Sequence, residues 1–242
     1  MTGTEAFRRR YGPWAVVAGA SEGLGAEYAS QLAARGLHVV LLARRRDPLS
    51  ALADRLAAEH GVATRTLPLD LARADAGEEV AGATADLDVG LLVYNAALSV
   101  IGPFLDCPLD RHLLEVDVNC RGPLILAHQF GRRFAARGRG GIVLMSSLSA
   151  TMGSALIAHY AATKAYNLIL AEGLWEEWRA AGVAVTACAA PAVRTPNYAA
   201  SAPRGRQRAV EQSSPRPSPR WARDPRSCLG RATGLRPSFC AA

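Results

Sequence analysis

Trp14-Ala-Val-Val-Ala18 runs into Gly19-Ala-Ser-Glu-Gly23-Leu-Gly25, and an amphipathic run follows to about Arg35, where Gly36 ends it. The apolar pentapeptide has strand character, and the run after it has helical periodicity. A strand, a glycine turn and a helix make a ready anion site. Glycines let a ligand approach the backbone, and the free amides at the helix start carry partial positive charge. Gly19, Ser21, Gly23, Leu24 and Gly25 are therefore candidate contacts for a pyrophosphate. The spacing is G-x-x-x-G-x-G rather than G-x-G-x-x-G. A tight strand-to-helix turn without a ligand is the competing reading.

Outward from this turn the same unit repeats. His38–Ala43 reads as a buried strand and is followed by Arg44-Arg-Arg46. In a dinucleotide fold an acid at this strand end would hold a ribose hydroxyl, whereas a base accommodates a 2′-phosphate. Asp47-Pro48 is expected to be the cap and first residue of the next helix, so it is set aside as a ribose ligand. NADP(H) is preferred, with Arg44 the main contact and Arg45 beside it; NAD(H) is the second choice. Glu22 in the glycine turn argues against the phosphate. The competing reading is a solvated basic turn.

Residues 63–69 form a third expected strand ending at Asp70-Leu71, placed either to border an adenine or to cap the following helix. A fourth covers 89–94, with Asn95 and Ala96 at its carboxyl end, where open α/β sheets bind ligands. Asn95 could equally tie neighbouring strand ends together. One long helix is predicted over 109–137, kinked where Asn119 and Gly122-Pro123 interrupt it, which could free a carbonyl for a water. A fifth strand, 141–145, delivers Ser146-Ser147, and a sixth, 183–188, leads to Pro191-Ala-Val193-Arg-Thr195. About six strands alternating with helices predict an α/β fold, a doubly wound Rossmann-type parallel sheet.

The chemistry points to Tyr160 and Lys164. They lie four residues apart in a helical run, so they stack on one face. Lys164 is the only lysine in a chain whose other basic side chains are all arginine. An ammonium beside a phenol favours the phenolate, which turns a tyrosine into a usable general acid or base. An exposed Tyr/Lys pair is the bland alternative. Ser147 could bond a substrate oxygen, but no G-x-S-x-G surrounds it, which disfavours a hydrolase nucleophile.

Composition narrows the classes. The chain has 242 residues, half of them apolar, enough for one domain with a sizeable core. No apolar run is long enough for a membrane span, and the start lacks a signal-like segment. Five scattered cysteines fit reduced thiols, so a cytoplasmic location is expected. The five histidines suggest no metal, and His159 is expected to pack rather than react. The net charge of +7 resides in the segment after residue 200; residues 1–200 are neutral. A nucleic-acid surface is therefore not expected of the body. Residues 1–201 are expected to form the catalytic domain. Residues 202–242, rich in Arg, Pro and Ser, are expected to be an irregular, disordered tail for which nucleic-acid binding is disfavoured.

In this order the motifs resemble those of the short-chain dehydrogenase/reductase family, over residues of about 12–198, with a weaker hint of its ketoacyl-CoA and hydroxysteroid reductase branch. The family's T-G-x-x-x-G-x-G appears as Ala18–Gly25 and its N-N-A-G as Tyr94–Ala97. Its catalytic residues match Asn119, Ser147, Tyr160 and Lys164. The resemblance implies hydride transfer between a nicotinamide cofactor and a small carbonyl or alcohol, without metal. Tyr160 would move the proton and Ser147 would hold the substrate oxygen. Lys164 would support the tyrosine and bind the ribose, and Asn119 would anchor a relay water. Thr195 would meet the carboxamide. Oligomeric state is left open: the long helices around Asn119 and Lys164 could pair subunits into a homodimer, while a lost edge strand could prevent further assembly. Ala18, Tyr94, Ala97 and Ala192 depart from the family pattern, and the first two are expected to loosen the network joining strand ends. The lid, helix and seventh strand of the family are not found in the tail. The alternative reading is thus a non-catalytic, truncated or frameshifted dinucleotide-binding protein with an incomplete pocket.

Overall fold

The structure, a computed structural model, describes residues 3–191. Among these residues six strands form one parallel sheet. They are β1 (Trp14–Ala18), β2 (His38–Ala43), β3 (Thr64–Pro68), β4 (Val89–Tyr94), β5 (Gly140–Ser147) and β6 (Val183–Ala190). Their spatial order is β3-β2-β1-β4-β5-β6, so the order reverses between β1 and β4. The helices are α1 (Gly3–Tyr11), α2 (Gly23–Ala34), α3 (Arg46–His60), α4 (Ala76–Ala83), α5 (Leu109–Val116), α6 (Gly122–Arg137) and α7 (Ala158–Trp178).

Strand residues alternate between two cores, and both are apolar because helices cover each face. Ala15, Val17, Val39, Leu41, Leu91 and Val93 pack with Tyr28, Leu32, Leu49 and Leu56 from α2 and α3. Val16, Val40, Leu42 and Leu92 pack on the other face with Val80 of α4, Leu126, Phe130 and Phe134 of α6, and Ala171 of α7. This explains why β1, β2 and β4 read as unbroken apolar runs, whereas the edge strand β3, Thr64-Arg-Thr-Leu-Pro68, is only half-buried. It also makes three layers with every strand's carboxyl end on one edge.

The expected long helix is in fact two. A π-helical turn, Asp117–Arg121, joins α5 to α6, so the kink inferred from Asn119 and Gly122-Pro123 is an extra residue in the helical ladder. Such turns free a carbonyl from its usual partner. Two other expectations are corrected. The helix after β2 begins at Arg46, with Arg45 at the N-cap position and no side-chain capping bond, so Asp47 lies within its first turn and is not the cap. The helix that Asp70 was expected to cap begins only at Ala76; Asp70 instead accepts a hydrogen bond from the Ala72 amide (3.0 Å) and closes the turn between. The helix α1 was not expected. The expectations for residues 202–242, and for Ala192, Val193 and Thr195, lie outside the described residues.

Candidate active site at the carboxyl edge of the sheet

The glycine turn occupies the edge where strand order reverses. Gly19 has φ +79°, and a side chain there would run into the backbone of Ala96 at 2.6 Å. At Gly25 a side chain would strike the Gly19 carbonyl and the Asn95 amide, so only hydrogen lets α2 start this close to β1. Asn95 donates through Nδ2 to the Gly19 carbonyl (2.8 Å), while the amides of Asn95 and Ala96 both bond Ala18 O (2.9 Å each). Asn95 thus ties the ends of β1 and β4, the second of its two expected roles. Ser21 and Leu24 are half-buried in the same turn. Glu22, preceding α2, makes no side-chain capping bond to the helix. Its carboxylate pairs instead with Arg45 (2.5 Å), while Arg44 is exposed beside it. Asp70 and Leu71 follow β3, and Pro191 follows β6.

Next along the edge lie the four expected catalytic residues. Lys164 is buried and its Nζ donates to Met145 O (2.9 Å) in β5. The same Nζ stands 5.7 Å from the centre of the Tyr160 ring, so the two share a helix face as their spacing requires. Burial pulls the Lys164 ammonium down to about 8, against weaker opposing fields from Cys120 and Glu115. Ser146 donates to the Lys164 carbonyl (2.8 Å), which fixes α7 to the end of β5. There Ser147 caps the 3-10 turn Leu148–Thr151, its Oγ accepting from the Ser149 amide (3.2 Å) and hydroxyl (3.0 Å). Two acceptor bonds leave the Ser147 proton available to a substrate oxygen.

Asn119 is fully buried in the π turn. Its Oδ1 accepts from Leu98 N and its Nδ2 donates to Leu98 O (both 2.8 Å), clamping the loop after β4. Nδ2 also donates to Thr163 Oγ1 (3.0 Å), which in turn donates to Tyr160 O (2.8 Å). The Asn119 carbonyl, expected to hold a water, accepts from Asn167 Nδ2 (2.9 Å), one turn beyond Lys164. A carbonyl has a second lone pair, so a water is still accommodated. Thr163 and Asn167 were not anticipated; their signal was their place on the Tyr160–Lys164 helix, three residues after each.

Tyr94 stands where the family has asparagine, and it does not leave the strand ends loose. Its hydroxyl donates to Val118 O (2.7 Å) and so holds β4 against the π turn. Burial pushes this phenol far up, which keeps it a neutral donor.

The histidines include one grouping that their spacing along the chain did not reveal. His112, Glu115 and His159 come together, with one ligand-capable atom of each within 4.8 Å of the others. The i,i+3 spacing of His112 and Glu115 was visible in the sequence; their approach to His159 was not.

Comparison with known proteins follows the same line. The family model described as short chain dehydrogenase matches residues 13–204. A 7beta-hydroxysteroid dehydrogenase from Clostridium sardiniense is 36% identical over 197 residues, covering 81% of this chain and 76% of that protein. A very-long-chain 3-oxoacyl-CoA reductase from Pyricularia oryzae is 37% identical over 179 residues, covering 72% of this chain but about half (54%) of its own length. Among solved structures, a short-chain dehydrogenase from Sphingobium yanoikuyae in complex with NADPH superposes with a TM-score of 0.75 at 33% identity, covering 78% of this chain and 74% of that one.

Proposed function

Because the chain belongs to the short-chain dehydrogenase/reductase family, and is an oxidoreductase of CH–OH groups, we propose that it works with NADP(H) on a ketone or secondary alcohol and that Tyr160 moves the proton. The observation that carries this reading is the buried Lys164 ammonium beside the Tyr160 ring.

The residues present fit a dinucleotide. The first amides of α2 face the carboxyl edge without a side-chain cap from Glu22, and anions are held at such helix starts. Gly19, Ser21, Gly23, Leu24 and Gly25 would hold the pyrophosphate. Asp70 and Leu71 would border the adenine, and Asn95, Ala96 and Pro191 would line the path to the nicotinamide. Val193 and Thr195 would complete it. Arg44 and Arg45 would take a 2′-phosphate, which favours NADP(H) although Glu22 already engages Arg45. When bound, the nicotinamide supplies or accepts the hydride.

The protein's own groups do the rest. Ser147 donates a hydrogen bond to the substrate oxygen. Tyr160 gives that oxygen its proton in reduction and takes it back in oxidation. Lys164 stabilises negative charge on the phenol oxygen, and its Nζ is placed by Met145 O. Asn119 positions the Tyr160–Lys164 turn through Thr163 and offers its carbonyl to a relay water. The hydroxysteroid dehydrogenases among the relatives make a bulky hydroxysteroid, or its ketone, the first substrate to test.

Tyr160→Phe removes only the proton carrier. Turnover, followed as NADPH consumption with a ketosteroid, should fall by about 10²–10⁴-fold while NADPH fluorescence still reports binding. Retention of more than about a tenth of the activity would refute the proton role. Binding without turnover of any ketone by the unmutated chain would favour a non-catalytic dinucleotide-binding protein.

A further inference from the structure

Three side chains outside the proposed tetrad form a buried, mixed cluster. Glu115 is fully buried, His112 is 7% exposed, and the side chain of His159 is 23% exposed. They come from two elements, α5 and the first turn of α7. One ligand-capable atom from each lies within 4.8 Å of the others.

Two of the three members are held from behind. His112 Nε2 lies 3.1 Å from Phe104 O, a carbonyl, so Nε2 carries the proton and Nδ1 the lone pair. Nδ1 is buried and, among the described residues, has no hydrogen-bond partner. The Phe104 ring stacks on the imidazole at 4.5 Å and fixes its plane. Glu115 Oε1 accepts from the Val100 amide (3.1 Å), which leaves Oε2 facing His159 Nδ1 at 2.5 Å. The two imidazoles meet edge to face, 5.1 Å apart.

A buried lone pair with no donor costs free energy as an ordinary packing feature. It suits a metal ligand, because ligating histidines commonly give their other N–H to a backbone carbonyl. Two imidazoles and one carboxylate suit zinc and its neighbours in the first transition row, and disfavour magnesium and calcium, which take oxygen ligands.

We propose that His112, Glu115 and His159 form a binding site for a divalent transition-metal ion of the zinc class. His112 supplies Nδ1, Glu115 supplies Oε2, His159 supplies a ring nitrogen, and water completes the set. Bond lengths near 2 Å require the three side chains to draw together by about an ångström. The half-open His159 is the entry side. An ion here bridges α5 to α7 one residue before Tyr160. The site stands independently of the hydride-transfer reading.

The test is titration of the purified full-length chain with Zn²⁺ and with Co²⁺, by calorimetry and visible absorption. One ion should bind per chain. The cobalt form should show d–d bands without a sulfur-to-metal charge-transfer band, and excess Mg²⁺ should not displace it. His159→Gln, at the more open position, and His112→Gln should each weaken binding by about tenfold or more, with metal-free unfolding curves checking that the variants fold. Absence of binding, a thiolate band that places the ion on cysteine, or unchanged affinity in folded His159→Gln would overturn the site.

Discussion

Lys164 shows what the proposed chemistry asks of one residue. Burial holds its ammonium at about 8, against about 10.4 for a free lysine. Below pH 8 both folded and unfolded chains are protonated there, and the fold carries the full cost of the buried charge. Between about 8 and 10.4 the unfolded chain keeps a proton the folded one lacks, so this residue's contribution to stability improves as pH rises. The cost at pH 7 is on the order of 3 kcal/mol. Lys164→Met should therefore be at least as stable as the parent at pH 7 in urea unfolding, with its advantage shrinking by pH 10, while turnover is lost. A variant clearly less stable at pH 7 would mean the Met145 hydrogen bond outweighs desolvation. Arg44 carries a separate expectation. Arg44→Ala should raise the dissociation constant for NADPH by about tenfold or more and leave that for NADH unchanged, since a hydrogen bond to a charged group is worth about 1.5–3 kcal/mol. Equal losses for both would place the 2′-phosphate elsewhere. Tyr160 and Lys164 were legible in sequence because helix geometry is local. Glu115 and His159, 44 residues apart, were not, since only tertiary packing brings them together.

At the scale of elements, the π turn is the joint of the site. It places Asn119 against Leu98 and Thr163, and Tyr94 braces it from β4 through Val118. Gly122 sits directly behind that brace; a methyl group there would collide with the Tyr94 hydroxyl and lie 3.0 Å from its ring carbon. Gly122→Ala should cost about 1–3 kcal/mol by overpacking, and Tyr94→Phe about 1 kcal/mol by loss of one hydrogen bond. Together they should cost less than their sum, because the phenylalanine removes the colliding atom. Strict additivity in denaturant unfolding would contradict the contact. The inner strands β1, β2 and β4 were legible as apolar runs because helices bury both their faces. The helix α1 was not: it is nine residues long and three of its last four are arginine, so only Phe7 and Tyr11 mark its buried side. The π turn was visible only as two poor helix formers in a helical stretch, which predicts a disturbance but not its kind.

For the whole molecule, strand alternation with helices sufficed to predict the doubly wound sheet, because parallel strands need crossovers and helices supply them. Assembly is a further matter. Leu109 and Leu113 on α5 are 68% and 56% exposed, Leu124 on α6 is 47% exposed, and Ile169 on α7 is 63% exposed. Apolar exposure on neighbouring helices favours pairing with a second copy. The chain is expected to sediment as a dimer at micromolar concentration, and Leu109→Glu combined with Leu113→Glu should shift it to monomer. A parent that is monomeric throughout would exclude pairing by this face. No helix among the described residues is long and apolar enough to cross a membrane.

The helix α1 ends at the start of β1, and its Tyr11 ring rests against Gly141 at the start of β5. Arg137 secures this corner by donating to the carbonyls of Gly12 (3.0 Å) and Val89. All three contacts are with the amino ends of strands, whereas the glycine turn, Ser147 and Asn95 occupy the opposite rim. A handle attached at this corner would consequently leave the catalyst from its back, so beads or electrodes could hold the protein there with its working mouth turned toward the medium.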